Sequence, residues 1–247
     1  MRGHRLFAAT AAVLLYTAAP ATAQVGTDRV VISVNAAYQG ASNTFDDRLE
    51  FEEFTETGTT DARYPIGTGL MFDGGAAVRL WKGFGVGFAF SSFSRDDIAQ
   101  TDTRVPHPFF DDRDRTIVAD VDGIARAETG VHIQARYAFG TDRVQAAVSG
   151  GPSVLTLEQE VVTEVQFDQT YPYDTATFRA ADTRRLRASA ATFNVGFDMM
   201  WRLGQNFGVG GMVRFASAPV DLDAGEGRTL TVDAGGIAGG AGVRIVF

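Results

Sequence analysis

The chain has 247 residues, with 30 acidic against 22 basic side chains, a formal net charge of −8 and no cysteine. This length suits one domain, or one barrel with long connections. The negative balance argues against electrostatic nucleic-acid binding, and stability outside the cytoplasm has to come from something other than disulfides.

Arg2, His4 and Arg5 precede an apolar stretch from Leu6 to Tyr16, and Ala21-Thr22-Ala23 supplies the small-x-small pattern of a cleavage site. Residues 1–23 are therefore expected to be a cleaved signal peptide, with the mature chain at 24–247 carrying a charge of −10 after loss of Arg2 and Arg5. Beyond this leader no apolar run approaches the ~18 residues of a membrane-spanning helix. Any membrane crossing falls to strands.

A period of two recurs eight times. The first strand, 30–39, sets Val30, Ile32, Val34, Ala36 and Tyr38 against Ser33, Asn35 and Gln39. The second, 70–80, sets Leu70, Phe72, Ala76, Val78 and Leu80 against Asp73 and Arg79, and the third, 84–93, sets Phe84, Val86, Phe88 and Phe90 against glycine, alanine and serine. The fourth, 131–139, points Val131, Ile133, Tyr137 and Phe139 outward and His132, Gln134 and Arg136 inward, with the outward register running back through Ala119 and Val121. The fifth starts at Val144, and its apolar phase changes at Leu155 and Leu157, which predicts a bulge near Pro152. The sixth, 192–203, carries Phe193, Val195, Phe197, Met199, Trp201 and Leu203 outside and Asn194, Asp198 and Arg202 inside. The seventh, 207–217, turns Met212 and Arg214 inward. The eighth, 237–247, ends the ladder with Val243, Ile245 and Phe247 outward and Arg244 inward.

Connections alternate. Trp81-Lys82-Gly83, Gly140-Thr141-Asp142 and Gly204-Gln205-Asn206 are short turns, whereas 41–66, 94–126, 158–187 and 218–228 are long. Alternating short periplasmic turns and long extracellular loops on an even number of antiparallel strands is the pattern of an outer-membrane barrel. Trp81, Phe84, Tyr137, Phe139, Trp201 and Phe207 sit at the short-turn ends, where an interfacial aromatic girdle belongs. The expected fold is all-β: a closed up-and-down antiparallel eight-stranded transmembrane β-barrel with four long extracellular loops.

On these strand-turn-strand units, and on Val243-Arg244-Ile245-Val246-Phe247, the chain resembles the eight-stranded outer-membrane β-barrel proteins, the OmpA/OmpX-like small barrels, over nearly all of 24–247. The resemblance implies residence in the cell outer membrane, contact with its lipids and lipopolysaccharide, and Val243, Ile245 and Phe247 as a signal read by the barrel-assembly machinery. A monomer is expected, with no nucleic-acid partner and no cofactor. Such barrels include adhesins, anchors, narrow transporters and lipid-modifying enzymes, so function has to be sought in side chains.

Of the 30 acidic residues, 24 fall in the four long connections beside 12 basic ones, giving the outer face about −12. Pairs such as Asp46-Asp47 and Asp111-Asp112 suit hard cations bridging to lipopolysaccharide, but none has EF-hand or RTX spacing, and no specific metal site is expected. Inside, Arg79, Arg136, Arg202, Arg214 and Arg244 face Asp73, Glu128 and Asp198. A lumen this narrow holds little beyond its own side chains, so these charges form a polar network with His132 that plugs the barrel; the alternative is a narrow anion-preferring channel. A third reading, a lipid A-modifying enzyme, rests on His132, which Glu128 is placed to orient as a base and which has Ser149 as one available neighbour. The chain has no GxSxG, HExxH or phosphate-loop motif. Tyr64-Pro65, Phe109-Phe110 and Tyr171-Pro172-Tyr173 supply aromatic anchors in the loops, either for surface recognition or for packing loops on one another. The leading expectation is a non-catalytic structural or loop-mediated surface role.

Overall fold

The computed structural model describes residues 29–40, 44–225 and 227–247. The expected signal peptide, 1–23, lies outside the described residues. Ten strands are present: β1 (Val30–Gly40), β2 (Thr44–Glu53), β3 (Glu56–Pro65), β4 (Gly69–Trp81), β5 (Phe84–His107), β6 (Phe110–Gly140), β7 (Val144–Gln169), β8 (Ala176–Arg202), β9 (Phe207–Gly225) and β10 (Arg228–Val246). Eight of them close a ring. β1 pairs with β4, successive neighbours pair from β4 to β10, and β10 returns to β1 with Val31 opposite Val246 and Gly40 opposite Ile237, all antiparallel.

Every predicted strand is found, and most are far longer than predicted. The segments 41–66, 94–126, 158–187 and 218–228, expected as loops, are largely strand. β5 and β6 run on to a turn at Pro108-Phe109, and β7 and β8 continue to a connection at 170–175. β2 and β3 form an added hairpin whose turn, Phe54-Thr55, has both residues at positive φ, as a two-residue I′ connection requires. β3 then pairs with the upper part of β5 through Thr59–Arg63.

The reason lies in how the strands exchange faces for solvent. Within the lower barrel the outward residues are apolar and exposed, as at Val148, Val154, Val209, Val213 and Phe215. Higher on the same strands, with no break in the β7–β8 ladder across Pro152 and none in β9–β10 above Phe207 as far as Thr229, the apolar residues occupy the inward positions instead: Leu155, Leu157, Val220, Leu222, Leu230 and Val232. The phase change at Leu155 is therefore not a bulge, as the sequence reading has it. Pro152 interrupts only the ladder to β6, which resumes in the same register on either side. What changes is the medium outside the wall, from lipid to water.

A bulge does occur on β6, at Asp122-Gly123 opposite Ile98, where Gly123 takes φ +76°. It turns Ala119 and Val121 inward, against the expectation that they continue the outward row, and Val121 packs on the core.

Above Gly40–Ile237, Arg126–Gln159 and Asn194–Ala216 the ring divides into three sheets, β2-β3-β5-β6, β7-β8 and β9-β10. Their inner faces enclose an apolar core of Phe45, Leu49, Ile124, Leu157, Val161, Leu222 and neighbours. Polar ties cross the gaps. Val162 N donates to the Tyr64 hydroxyl at 2.9 Å, and Arg228 reaches Asp47 at 2.7 Å. Burial raises the Tyr64 phenol above its ordinary pKa, so it stays neutral.

Barrel closure depends on a small residue. A Cβ on Gly242 collides with the Val34 carbonyl oxygen and lies 2.7 Å from Asn35 Cα, whereas on Gly239 its nearest neighbour is 3.9 Å away. Gly242→Ala is expected to lower stability by about 1–3 kcal/mol. Gly239→Ala is expected to leave it nearly unchanged, and equal urea midpoints for the two variants contradict the collision.

Candidate functional site

The outer face of the lower ring is an unbroken apolar belt. Trp81, Phe84, Tyr137, Phe139, Trp201 and Phe207 are all exposed at the short-turn end, with Trp81 at 66% and Trp201 at 60%. Tyr38, Phe72, Phe90, Phe193 and Phe215 are exposed at the opposite edge. On β8 the belt from Phe193 to Trp201 spans about 27 Å of strand, or ~20 Å of height at a tilt of about 40°. A closed ring satisfies its backbone in lipid, and no helix among the described residues is long and apolar enough to cross a membrane. The protein is a transmembrane β-barrel of the outer-membrane type. Val243, Ile245 and Phe247 face outward on the closing strand, where Phe247 and Val30 exchange backbone hydrogen bonds of 3.0 and 3.1 Å.

The lumen contains three tiers of polar side chains, because an inward position inside the membrane has no water in bulk and each polar group must find a partner. In the lowest, Arg244 is fully buried and reaches Asp198 Oδ2 at 2.6 Å and Asn35 Oδ1 at 2.6 Å. Asn35 donates to Asp73 at 2.9 Å, and Asp73 pairs with Arg214. One chain of contacts thus links β8, β10, β1, β4 and β9 across the barrel. Arg136 lies 3.8 Å from the same Asp198. Arg202 donates instead to the Gln205 carbonyl in the short turn, and Arg79 is half-buried at that same end.

The middle tier joins Gln134 to Asn194 at 2.5 Å, Asn194 to Ser153 at 2.8 Å, Ser153 to His132 Nδ1 at 2.8 Å and His132 Nε2 to Ser91 at 3.1 Å. The expected pairing of His132 with Glu128 is not present, and the neighbouring serines are Ser91 and Ser153 rather than Ser149. Glu128 belongs to the upper tier, where it binds Arg126 at 2.6 Å, accepts from Gln39 at 2.8 Å and accepts from Gly235 N at 2.8 Å. Arg126, fully buried, also donates to Gln159 and to the Asp233 carbonyl. It is the principal network member outside the predicted strands, at the end of the expected 94–126 connection. Its signal was parity: Arg126, Glu128, His132 and Gln134 share one face of β6.

Space between the tiers is small. A cavity of about 60 Å³ is lined by Asn35, Asp73, Gln134, Arg136 and Asp198, and one of about 20 Å³ lies above it beside Gln39, Glu128 and His132. These volumes suit a few waters and about one, respectively. Ala37, Met71, Phe93, Met212 and Ala238 form an apolar cluster interleaved with these tiers, Met212 standing opposite Asp198 and Phe93 opposite Glu128, and the larger apolar core continues above. His132 is buried, both ring nitrogens are engaged by serines, and it faces the lumen rather than the lipid. No cluster of three or more potential metal ligands occurs among the described residues.

No protein-family model matches the chain, and no curated protein does. Among solved structures it is similar to Neisserial surface protein A at 10% identity and TM-score 0.43, covering 88% of this chain and 97% of that one. It is similar to the N-terminal β-barrel domain of OprF from Pseudomonas aeruginosa at 11% identity and TM-score 0.35, covering 89% and 98%. The outer membrane protease OmpT from Escherichia coli matches at 9% identity and TM-score 0.46, covering 89% and 97%.

Proposed function

We propose that this protein is a closed, non-catalytic barrel of the cell outer membrane whose role is to raise a rigid β-structure above the lipid for structural or surface-interaction purposes. The observation that carries this reading is the filled interior: three polar tiers interleaved with apolar side chains inside the membrane, and a continuous apolar core above them. A pore needs a continuous wet path, and the two cavities beside these tiers hold only about 60 and 20 Å³. An enzyme acting on membrane lipid needs its base toward the lipid, and His132 is turned the other way. Outer-membrane lipids and lipopolysaccharide would contact the apolar belt, and the barrel-assembly machinery would read Val243, Ile245 and Phe247 during insertion.

The channel alternative makes the opposite electrical prediction. In planar bilayers the reconstituted protein is expected to give no conductance step above background. A reproducible single-channel step in chloride salts overturns the closed-barrel reading.

A further inference from the structure

The hairpins β2-β3 and β5-β6 and the β7-β8 connection meet at the distal end, and their meeting is built rather than incidental. Arg115, buried, donates to Gln169 Oε1 at 2.7 Å, to the Tyr173 carbonyl at 3.3 Å and to the Pro106 carbonyl at 2.6 Å. Gln169 donates onward to Glu53 at 3.4 Å, the Phe51 and Phe167 rings lie tilted with centres 6.3 Å apart, and the Phe109 and Tyr173 rings meet edge-on at 5.6 Å. The tips are thus fixed relative to one another.

On top of this tie the structure leaves aromatic rings in water: Phe54, Phe109 and Phe110, and Tyr171 at 77% exposure. Exposed aromatics on a preorganised surface are the usual anchors of recognition. Their surroundings choose the partner. Residues 50–56, 108–116 and 166–177 contain nine acidic side chains and two basic ones. Of the two, Arg115 is consumed by the internal tie. The other, Arg113, lies with its guanidinium 5.3 Å from the Phe110 ring centre and 3.8 Å from Asp174. The apex therefore already seats one guanidinium between a ring and a carboxylate, while Phe109, which is close in sequence to the Asp111-Asp112 pair, and Tyr171, joined to Phe109 through the Tyr173 ring, have no cation over their faces among the described residues.

We propose that this apex is a docking surface for an arginine- or lysine-bearing segment of a partner protein, the cationic groups lying on Phe109 and Tyr171 and pairing with Asp111 and Asp112. The proposal rests on the surface-interaction reading and adds the chemistry of the partner.

The test uses the full mature chain in lipid nanodiscs and three fluorescent probes: an arginine-serine repeat peptide, its glutamate-serine counterpart and a sulfated heparin fragment. The arginine peptide is expected to bind in a salt-sensitive manner, and the two anionic probes are not. Asp111→Asn with Asp112→Asn is expected to weaken binding about tenfold, and so is Phe109→Ser with Tyr171→Ser, which leaves the charge unchanged. Heat-modifiable gel mobility reports that each variant is folded, and Phe109→Ser alone replaces the pair if the pair is not. Unchanged affinity in the aromatic variant means a diffuse acidic surface and overturns the proposal. Preferential binding of the heparin fragment, or concentration-dependent pairing of the barrels through these tips, overturns it as well. A barrel that fails to conduct and also fails to bind the arginine peptide refutes the partner chemistry while leaving the closed-barrel reading intact.

Discussion

Replacing Arg244 with leucine is expected to cost about 3–5 kcal/mol of barrel stability, because it leaves Asp198 in the lumen with only Arg136 at 3.8 Å and strips Asn35 Oδ1 of its donor. The cost is that of a broken buried pair rather than the net worth of the pair, since taking both charges out of water was itself unfavourable. The double variant Arg244→Leu, Asp198→Leu is therefore expected to lose less than the sum of the single variants, although Arg136 then lacks its carboxylate. The Arg48–Asp61 bridge on the outer face has a comparable distance of 2.6 Å but an arginine that is 61% exposed, and Arg48→Leu is expected to leave the unfolding midpoint in place. Urea unfolding in phospholipid vesicles, followed by loss of heat-modifiable mobility, measures the four variants and the parent. A midpoint for Arg244→Leu indistinguishable from that of the parent removes the lowest tier as a structural element.

Membrane strands were legible because lipid imposes the same demand on every one of them. Outward residues had to be apolar, so β1, the lower part of β8 and the lower part of β10 could be read residue by residue. Inward polar positions then follow from parity, which groups Asp73, His132, Asp198, Arg214 and Arg244 on the lumen side. Their partners were another matter. Glu128 lies four residues from His132 on one strand, yet it pairs with Arg126 and with Gln39 from a distant strand, because barrel stagger sets which tiers face each other and no single strand records the stagger.

The extension above the membrane was illegible for a different reason. On β9, Ala218, Val220, Leu222 and Ala224 alternate cleanly with Pro219, Asp221 and Asp223, but their parity is opposite to that of Val209, Val213 and Phe215. Read as one amphipathic strand, the pattern breaks at Ser217. Read as one register passing from lipid into water, it continues. The β2-β3 hairpin was hidden further by its turn: Phe54-Thr55 adopts positive φ without the asparagine or glycine that normally announces it.

If the extension is a separate apolar core resting on the membrane ring, a charge placed inside it should open the upper part and spare the lower. Leu222 is fully buried among Val220, Ala224, Leu230 and Val232. Leu222→Asp loses its burial, worth about 2–5 kcal/mol, and adds an ion with no partner in an apolar site. That exceeds what three sheets joined only by packing and a few polar ties can absorb, since their mutual ladders end at Gly40–Ile237, Arg126–Gln159 and Asn194–Ala216. The membrane ring keeps its own closed ladder and its three polar tiers. In proteoliposomes, external proteinase K is therefore expected to clip the variant within β2-β3 and in the upper halves of β5 to β10, while a membrane-protected remnant retains heat-modifiable mobility. Asp221→Asn, one residue away but outward, is expected to remain as resistant as the parent. Resistance of Leu222→Asp would mean that the hairpins stand without their core, and loss of the remnant would mean that ring and extension fold as one unit.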